Sequence, residues 1–397
     1  MAKQAVILAA GASTRTYPLT VNKPKPLLKV ANKTILEHNL EQLDGSVDEA
    51  IIVIGFEGAQ IIKRIGEQFS RIKIRYVQQS QQLGTANALQ QARALINDEF
   101  IILNGDDLYS REDIKKCLEH KYAILASKVV DFQSFGMLEL KEENNLNRIV
   151  EKPDQYISNL ANTGLYVLDS SIFNYIAKLK KTGEELFLTD AVNLLAEKEH
   201  VIVVPVSDYW LPIAYPWNLL DANEFLLKKA SLDIDGVIEQ NVTLKGPVGI
   251  GKNSIIKNGT YIEGPVIIGE NCHIGPNAYI RGATAIGNNC KIGSAVEIKN
   301  SVIMNSATIG HLSYVGDSVI GEHVNLGAGT IVANLRHDGE DVKSLVKGNL
   351  ISIGRRKFGT VLGDNVKTGI NTSIYPGRKI WPNKTTLPGE IVKKDIV

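Results

Sequence analysis

The stretch from Ile238 to Val302, IEQNVTLKGPVGIGKNSIIKNGTYIEGPVIIGENCHIGPNAYIRGATAIGNNCKIGSAVEIKNSV, carries an aliphatic residue at every sixth position. The series is Ile238, Leu244, Ile250, Ile256, Ile262, Ile268, Ile274, Ile280, Ile286, Ile292 and Ile298. Four places after each stands a short residue, from Val242, Val248 and Ser254 through Cys272 and Cys290 to Val302. One aliphatic and one small inward residue per hexad, with Gly or Asn at the bend, make one short strand and one corner. Three hexads close a triangular coil of a parallel β-helix, and stacked coils bury the aliphatic column. A one-residue deletion shifts the phase to Ile303, Ile309 and Val315, and a second shifts it to Ile320, Leu326 and Val332. A β-sandwich would instead alternate apolar and polar residues with irregular turn spacing.

A chain of 397 residues holds two or three domains, each able to bury its own core. With 44 basic against 43 acidic residues, neither nucleic acid nor a membrane surface is expected as a partner, and any anion site must be local. Cys117, Cys272 and Cys290 form no CxxC pair, and the last two fall at inward hexad positions. They read as small core residues in a reducing compartment. The apolar run after Lys3 is short and leads into Thr14-Arg15 without a small-residue cleavage site, so a buried first strand is expected rather than a signal peptide. No apolar stretch is long enough to span a bilayer, and the expected location is the cytoplasm.

Upstream of the hexads, apolar β-rich runs alternate with amphipathic helical windows, the pattern of an α/β Rossmann-like domain with a mostly parallel sheet. Strands are expected over 5–9, 50–54, 73–77, 100–103, 123–129 and 164–168, and helices over 35–43, 59–69, 85–95, 111–120, 171–177 and 189–197. A helical window over 217–230 bridges to a linker over 231–237. The expected domains are therefore 1–230 and 231–397. Ligands of such sheets bind beyond the carboxyl ends of the strands.

Directly after the first strand come Leu8-Ala9-Ala10-Gly11-Ala12-Ser13-Thr14-Arg15-Thr16-Tyr17-Pro18-Leu19-Thr20 and then Asn22-Lys23-Pro24-Lys25-Pro26-Leu27-Leu28. A loop of small residues lets backbone amides approach phosphate oxygens, and Arg15 and Lys25 add fixed cations. Asn104-Gly105-Asp106-Asp107 ends another apolar strand, where a carboxylate can hold Mg²⁺ against phosphates. The first two strings resemble the sugar-1-phosphate nucleotidylyltransferase family pattern LAAGxGTRxxPLT…PKPLL, with Ser13 standing where the family prefers Gly. The resemblance implies catalytic roles for Arg15 and Lys25, nucleotide contacts from Leu8, Ala10 and Gly11, and a pyrimidine read by Gln79, Gly84 and Thr85. It also implies metal binding by Asp106, with Asp107 as a surface acid, and a sugar pocket of Gly136, Glu151 and Asn162. Where the family often carries a second acidic ligand in W-x-D-I-G-x-P, this chain reads Trp210-Leu211-Pro212-Ile213-Ala214-Tyr215-Pro216, so the alternatives are that Asp208 replaces it by a local shift or that Asp106 and water suffice.

In the β-helix, residues eighteen apart stack at the roughly 4.8 Å of neighbouring strands. Arg281 and Lys299 are such a pair. Two cations that close repel unless an anion lies beside them or both reach out to water, so the ladder reads as an anion site. His311, Tyr314, Asn325, Ala328 and Asn334 follow on the next coils. With Arg281 and Lys299 this set is similar to the acetyltransferase half of the bifunctional N-acetylglucosamine-1-phosphate uridylyltransferase and glucosamine-1-phosphate acetyltransferase family, so the resemblance covers nearly the whole chain. It implies a left-handed, homotrimeric β-helix. Arg281 and Lys299 would grip the 1-phosphate, Tyr314 and Asn325 would orient the amino sugar, and Asn334 and Ala328 would contact acetyl-CoA. An amine must be neutral to attack a thioester, and His311 is the candidate base. His273, His311 and His323 are not spaced to meet on facing edges, which argues against a zinc site. The polar stretch 335–350 interrupts the period and reads as a loop thrown out of the coil before hexads resume at Leu362.

The expected activity is bifunctional. Acetyl-CoA acetylates glucosamine-1-phosphate or galactosamine-1-phosphate, and the sugar 1-phosphate then attacks UTP or dTTP with Mg²⁺, releasing pyrophosphate and giving UDP-N-acetylglucosamine. Two rivals are a nucleotidylyltransferase whose β-helix only regulates or oligomerises, and a non-catalytic scaffold like the translation-factor exchange subunits.

Overall fold

The computed structural model describes residues 4–142, 144–179 and 185–397. They form two compact units, one of residues up to 12, 24–27 and 35–212, the other of 13–23, 28–34 and 213–397.

The first unit is built on a ten-stranded mixed sheet. Its middle strand, Gln4–Ala9, pairs in parallel with Glu49–Ile54 on one side and Phe100–Asn104 on the other, Val6 lying against both Ile51 and Ile102. Ile72–Gln78 extends the parallel part, while Leu160–Leu168 and the hairpin Gly136–Leu140 with Leu146–Glu151 run antiparallel beyond Phe100–Asn104. Because connections leave Gln4–Ala9 with neighbours on both sides, its carboxyl end is the switch point where such sheets open a crevice. Successive residues of that strand feed opposite faces, Val6 into one core with Leu89, Phe173 and Val192, and Ile7 into another with Leu40, Ile61 and Ile114. Helix Ile35–Leu43 has the expected bounds and buries Ile35, Leu36, Leu40 and Leu43, the three-and-four spacing of one helical face. The helix expected over 59–69 runs only Gly58–Ile65. Gly66, at φ 74°, leaves helical backbone, and Gln68–Phe69 turns back against Ile72 and Lys73 as a strand.

The second unit is a left-handed parallel β-helix with faces of six, eight and seven strands. Val248 pairs with Val266 and Val266 with Thr284, eighteen residues apart; from Ala285 with Val302 to Tyr314 with Ile331 the repeat is seventeen, as the phase slips require, and Thr360 with Arg378 is eighteen again. The aliphatic column from Ile250 to Val332 is at most 2% exposed, and Cys272 and Cys290 are buried beside it. Ile238, at its open end, is 38% exposed because a coil covers it on one side only. Asn253, Asn271 and Asn289 turn corners at φ between 56° and 60°, a left-handed geometry that Asn tolerates better than branched residues. Their amides also ladder between coils, Asn253 Nδ2 donating to Asn271 Oδ1 at 3.2 Å. The expected loop is larger than 335–350: Ile331 pairs with Ser373 and Val319 with Val361, so the excursion lies between strands Ile331–Val332 and Thr360–Leu362. It carries an antiparallel hairpin, Lys343–Val346 with Asn349–Ser352, that its polar composition did not suggest. Helix Asn218–Lys229 belongs to this unit and docks through Asn223, whose Nδ2 donates to Ala283 O at 2.8 Å. Among the described residues no helix is long and apolar enough to cross a membrane.

Candidate active sites

In the first unit the expected nucleotide residues gather at the switch point. Lys25 is 4% exposed, and its Nζ lies 2.8 Å from Asp106 Oδ2 just beyond strand Phe100–Asn104. Gly105 N–H donates to Leu8 O at 2.8 Å, which fixes this turn against the first strand. Ala10 O accepts from Gln82 Nε2 at 3.1 Å, a contact the sequence motif did not single out. Gly55 faces the same carbonyl, and a Cβ there would stand 2.5 Å from it. Gln79 is buried and spends its Nε2 on Gly84 O at 3.1 Å and Asn87 Oδ1 at 3.0 Å, so it braces the loop before helix Thr85–Ala92. Gly84 holds φ 90° with Leu186 O 2.3 Å from where a Cβ would sit, so only glycine fits. Thr85 Oγ1 accepts from Leu188 N–H at 2.9 Å.

The expected sugar pocket forms at the antiparallel edge. Gly136 is registered opposite Glu151, and a Cβ on it would come 3.0 Å from Glu151 Oε1. Although Glu151 is exposed as a residue, crowding of its carboxyl by protein raises its pKa; the Thr189 hydroxyl and Lys152 pull the other way. Asn162 stands where Leu160–Leu168 slips register against Ala123–Lys128, the kind of irregularity that re-aims side chains at binding sites. Its Nδ2 donates to Tyr166 Oη at 2.6 Å and its Oδ1 accepts from Gly164 N–H at 2.8 Å.

Asp208 does not replace the missing second acid. Strand Trp210–Pro212 pairs antiparallel with Asp107–Tyr109, setting Pro212 against Asp107 and carrying Asp208 away from Asp106 by about 15 Å of extended chain. Asp208 N–H donates instead to Asp113 Oδ2 at 3.2 Å. Among the described residues no three acidic, histidine or cysteine side chains converge as a ready-made metal cage. Asp106, with its second oxygen uncommitted among the described residues and its side chain 37% exposed, fits an ion that takes its remaining oxygens from substrate phosphates and water.

Arg15 lies in the second unit, in the 3₁₀ turn Thr14–Thr16, with its guanidinium carbon 5.8 Å from the Tyr215 ring centroid. Tyr215 in turn stacks on Trp217 at 4.7 Å. Ser13 holds φ 50°, the left-handed backbone that explains a preference for Gly there. Its carbonyl collects Thr16 N–H at 3.1 Å, Thr16 Oγ1 at 2.7 Å and Thr20 Oγ1 at 2.9 Å, which offset the roughly 1 kcal/mol a side chain costs in that region.

On the β-helix, Arg281 and Lys299 are registered side by side as expected. The anions beside them come from the chain itself. Arg281 Nη2 is 2.7 Å from Glu297 Oε1, and Lys299 Nζ is 3.0 Å from Asp317 Oδ2. Burial works against the Arg281 charge, but Glu297 holds its pKa above the ordinary value. Asp317 also accepts from Asn300 Nδ2 at 2.8 Å and Asn334 Nδ2 at 2.6 Å, and Asn334 Nδ2 reaches Tyr314 Oη at 3.1 Å. Burial, with Asp317 and Glu297 nearby, raises the Tyr314 pKa and keeps the phenol a proton donor. Lys299, Tyr314 and Asn334 therefore share one hydrogen-bonded network through Asp317, and Arg281 stands apart from it on Glu297. Glu297 and Asp317, which the sequence reading missed, were signalled by lying one coil from their cations in the same face. His311 ends strand Thr308–His311, is exposed, and its ring forms no hydrogen bond among the described residues. Gly329 N–H donates to His311 O at 3.2 Å, which sets neighbouring Ala328 one coil from the imidazole. Asn325 pairs with Thr308 on the same face.

Known proteins divide along the same line. Residues 4–229 match the model of the nucleotidyl transferase family, and residues 262–397 match that of the GMPPB C-terminal domain. The Bifunctional protein GlmU of Methanococcus vannielii is 41% identical over 399 residues, covering 99% of this chain and 95% of the relative. A bifunctional sugar-1-phosphate nucleotidylyltransferase/acetyltransferase of Sulfurisphaera tokodaii is 43% identical, covering 99% and 98%. A UDP-glucose pyrophosphorylase solved with UDP-glucose shares the fold over 58% of this chain and 100% of its own, at TM-score 0.52 and 23% identity.

Proposed function

The chain belongs to the bifunctional sugar-1-phosphate nucleotidylyltransferase and acetyltransferase family, and we propose that it acetylates an amino-sugar 1-phosphate and then couples the product to a pyrimidine nucleotide. It is an enzyme of two transfer reactions on small molecules, drawing in general on a divalent metal and on acetyl-CoA. The regulator and scaffold readings are set aside by its relatives' bifunctional names.

Residues 231–397 would perform the acetylation. Arg281 and Lys299 exchange part of their pairing with Glu297 and Asp317 for the substrate phosphate. Tyr314 and Asn325 orient the sugar, Asn334 and Ala328 place the acetyl thioester, and His311 takes the proton as the glucosamine or galactosamine nitrogen attacks. Residues 1–230 would transfer UMP or dTMP. Arg15 and Lys25 neutralise the triphosphate, the loop of Leu8, Ala10 and Gly11 cradles it, and Gln79, Gly84 and Thr85 receive the base. Gly136, Glu151 and Asn162 seat the sugar so that its phosphate oxygen lies in line with the α-phosphorus and pyrophosphate departs. Mg²⁺ held by Asp106 would supply charge neutralisation between the phosphates. We further place the enzyme in the cytoplasm as a homotrimer associating through the β-helix.

The observation that carries the reading is an uncommitted His311 ring on a β-helix that also stacks Arg281 on Lys299, in the same chain as the Lys25–Asp106 pair. The test is free-thiol release from acetyl-CoA with glucosamine-1-phosphate and galactosamine-1-phosphate offered separately. Release with at least one is expected. Silence with both, alongside pyrophosphate formation from UTP, would remove the acetyltransferase half.

A further inference from the structure

The excursion between Val332 and Thr360 closes one side of a cavity of about 560 Å³, a volume within the range of small-molecule sites. The coils supply the other side through Tyr375, Pro376, Arg378 and Lys393. Every lining residue lies between Ala333 and Lys393, inside the second unit.

The excursion is fastened at its neck and along its hairpin. Phe358 N–H donates to Asn334 O at 2.9 Å, and Leu335 bridges Lys357. Strand Lys343–Val346 then lies against residues 377–379. Arg378 Nη2 donates to Lys343 O at 2.9 Å, Ser344 Oγ to Gly377 O at 3.0 Å, and Lys379 Nζ to Leu345 O at 2.8 Å. A Cβ on Gly377, which holds φ 76°, would stand 2.5 Å from Lys343 O, so glycine permits this approach. The walls are set by the chain itself, and a ligand has little ordering to impose.

The lining is cationic. Arg336, Lys343, Arg378 and Lys393 stand against one carboxylate, Asp338, in a chain that carries only +1 overall. Asp338 is committed to Arg336, whose Nε lies 2.9 Å from its Oδ1. Arg378 Nη1 is 4.0 Å from Asp395 Oδ1, long for an ion pair. Lys343 and Lys393 are exposed, and among the described residues their ammonium groups meet no acceptor. Cations gathered around one cavity repel until an anion joins them, so the lining favours a ligand with at least two negative charges.

Beside the charges stand Leu335, Leu350, Tyr375 and Pro376, an apolar and aromatic surface that suits a flat ring and that inorganic phosphate would leave unused. Gly316, Ala333, Tyr375 and Lys393 follow one another on successive coils of one face, since Tyr314 pairs with Ile331, Ile331 with Ser373 and Ser373 with Ile391. Ala333 is short and leaves space beside Tyr375, while Lys393 lies two coils from Ala333, at roughly 10 Å. An apolar side for a base and cations for phosphates thus fall within the reach of one nucleotide.

We propose that this cavity binds a nucleoside diphosphate group, with the phosphates on Lys343, Arg378 and Lys393 and the base against Tyr375 and Leu350. The group has two sources. Asn334, assigned above to the acetyl thioester, is flanked in sequence by Ala333 and Leu335, both in the lining, so the nucleotide end of coenzyme A is one. A free nucleotide is the other. Only the first source rests on the acetyl-transfer reading.

The test is binding of ADP and of coenzyme A to the full-length chain in three forms. These are the wild type, Lys343→Gln/Lys393→Gln, and Lys347→Gln/Lys394→Gln, which removes equal charge from exposed residues outside the lining. The wild type should bind, the lining pair should weaken binding by about tenfold or more, and the outer pair should stay within about threefold. If coenzyme A is the source, the lining pair should also raise KM for acetyl-CoA in thiol release by a similar factor, with kcat within about twofold. If a free nucleotide is the source, ADP should bind at least as tightly as coenzyme A, and that KM should not move. Failure of both ligands to bind the wild type overturns the proposal, as do unchanged affinities in the lining pair or equal losses in both pairs. A wild type that releases no thiol sinks the acetyl-transfer reading instead, and ADP binding with its loss in the lining pair still decides the site.

Discussion

The two halves of this chain reach a working site by opposite routes. In the α/β unit, Lys25 and Asp106 come from turns far apart in sequence and meet at 2.8 Å because a parallel sheet brings their loops to one end. In the β-helix, Arg281 and Lys299 meet because a repeat of fixed length stacks them. The first route depends on topology, the second on counting. A solenoid site can be located by arithmetic once the period is known, while an open-sheet site needs the strand order as well.

The sharpest way to break the comparison is to remove one chemical group from each half. His311→Ala should lower acetyl transfer by roughly 10²–10⁴-fold and leave pyrophosphate formation intact, the scale of a lost general base. Asp106→Ala should do the reverse. Thiol and pyrophosphate assays on the same two preparations check it, and a mutant that loses both would mean the halves are not separate sites.

Stability comes next. Ile298 is fully buried in the repeating column, and Ile298→Ala should cost about 2–5 kcal/mol in denaturant unfolding. Ile238, 38% exposed in the first coil, occupies the same phase, yet Ile238→Ala should cost well under half as much. Equal losses would show that the column is cooperative to its end rather than covered coil by coil.

The smallest effect is a pH dependence in the periodic half. Lys379 is 2% exposed, donates to Leu345 O at 2.8 Å, and lies 5.8 Å from the Trp217 ring. Burial lowers its pKa from 10.5 to about 8, against the pull of Asp395. The unfolded chain keeps this proton through a range in which the folded chain has released it, so folding stability should rise as pH climbs from about 8 toward 10.5 and fall as pH drops back through 8. Relative to Lys379→Met, which lacks the titration, the gain across that window should be roughly 2–3 kcal/mol in unfolding measured at each pH.

Legibility followed the same division. The hexads announced the coils, their phase slips and the Arg281–Lys299 stack, since each depends only on separation along the chain. The charges that neutralise the stack, Glu297 in a strand and Asp317 at the corner after one, went unread because such a carboxylate looks like any solvated one until the register fixes its neighbour. In the α/β unit, helix Ile35–Leu43 was legible at both ends from its apolar spacing. The failure of Asp208 was not, since it rests on the antiparallel register of Trp210–Pro212, a long-range fact that no local pattern carries. The hairpin Lys343–Val346 with Asn349–Ser352 was hidden for a related reason: it buries Ser344 and Val346 but exposes Asn349 and Leu350, so its composition reads as loop.

That hairpin belongs to an excursion which leaves the coil after Val332 and returns so that Val319 still faces Val361 and Ile320 still faces Leu362. The winding continues across the gap as though nothing had been inserted. Length is therefore a free variable at such a corner and a fixed one inside a strand, where a single added residue would turn every later side chain to the wrong side. Lineages can enlarge, trim or rewrite what projects from the corner while inheriting the coil unchanged, so novelty at this surface costs little in foldability.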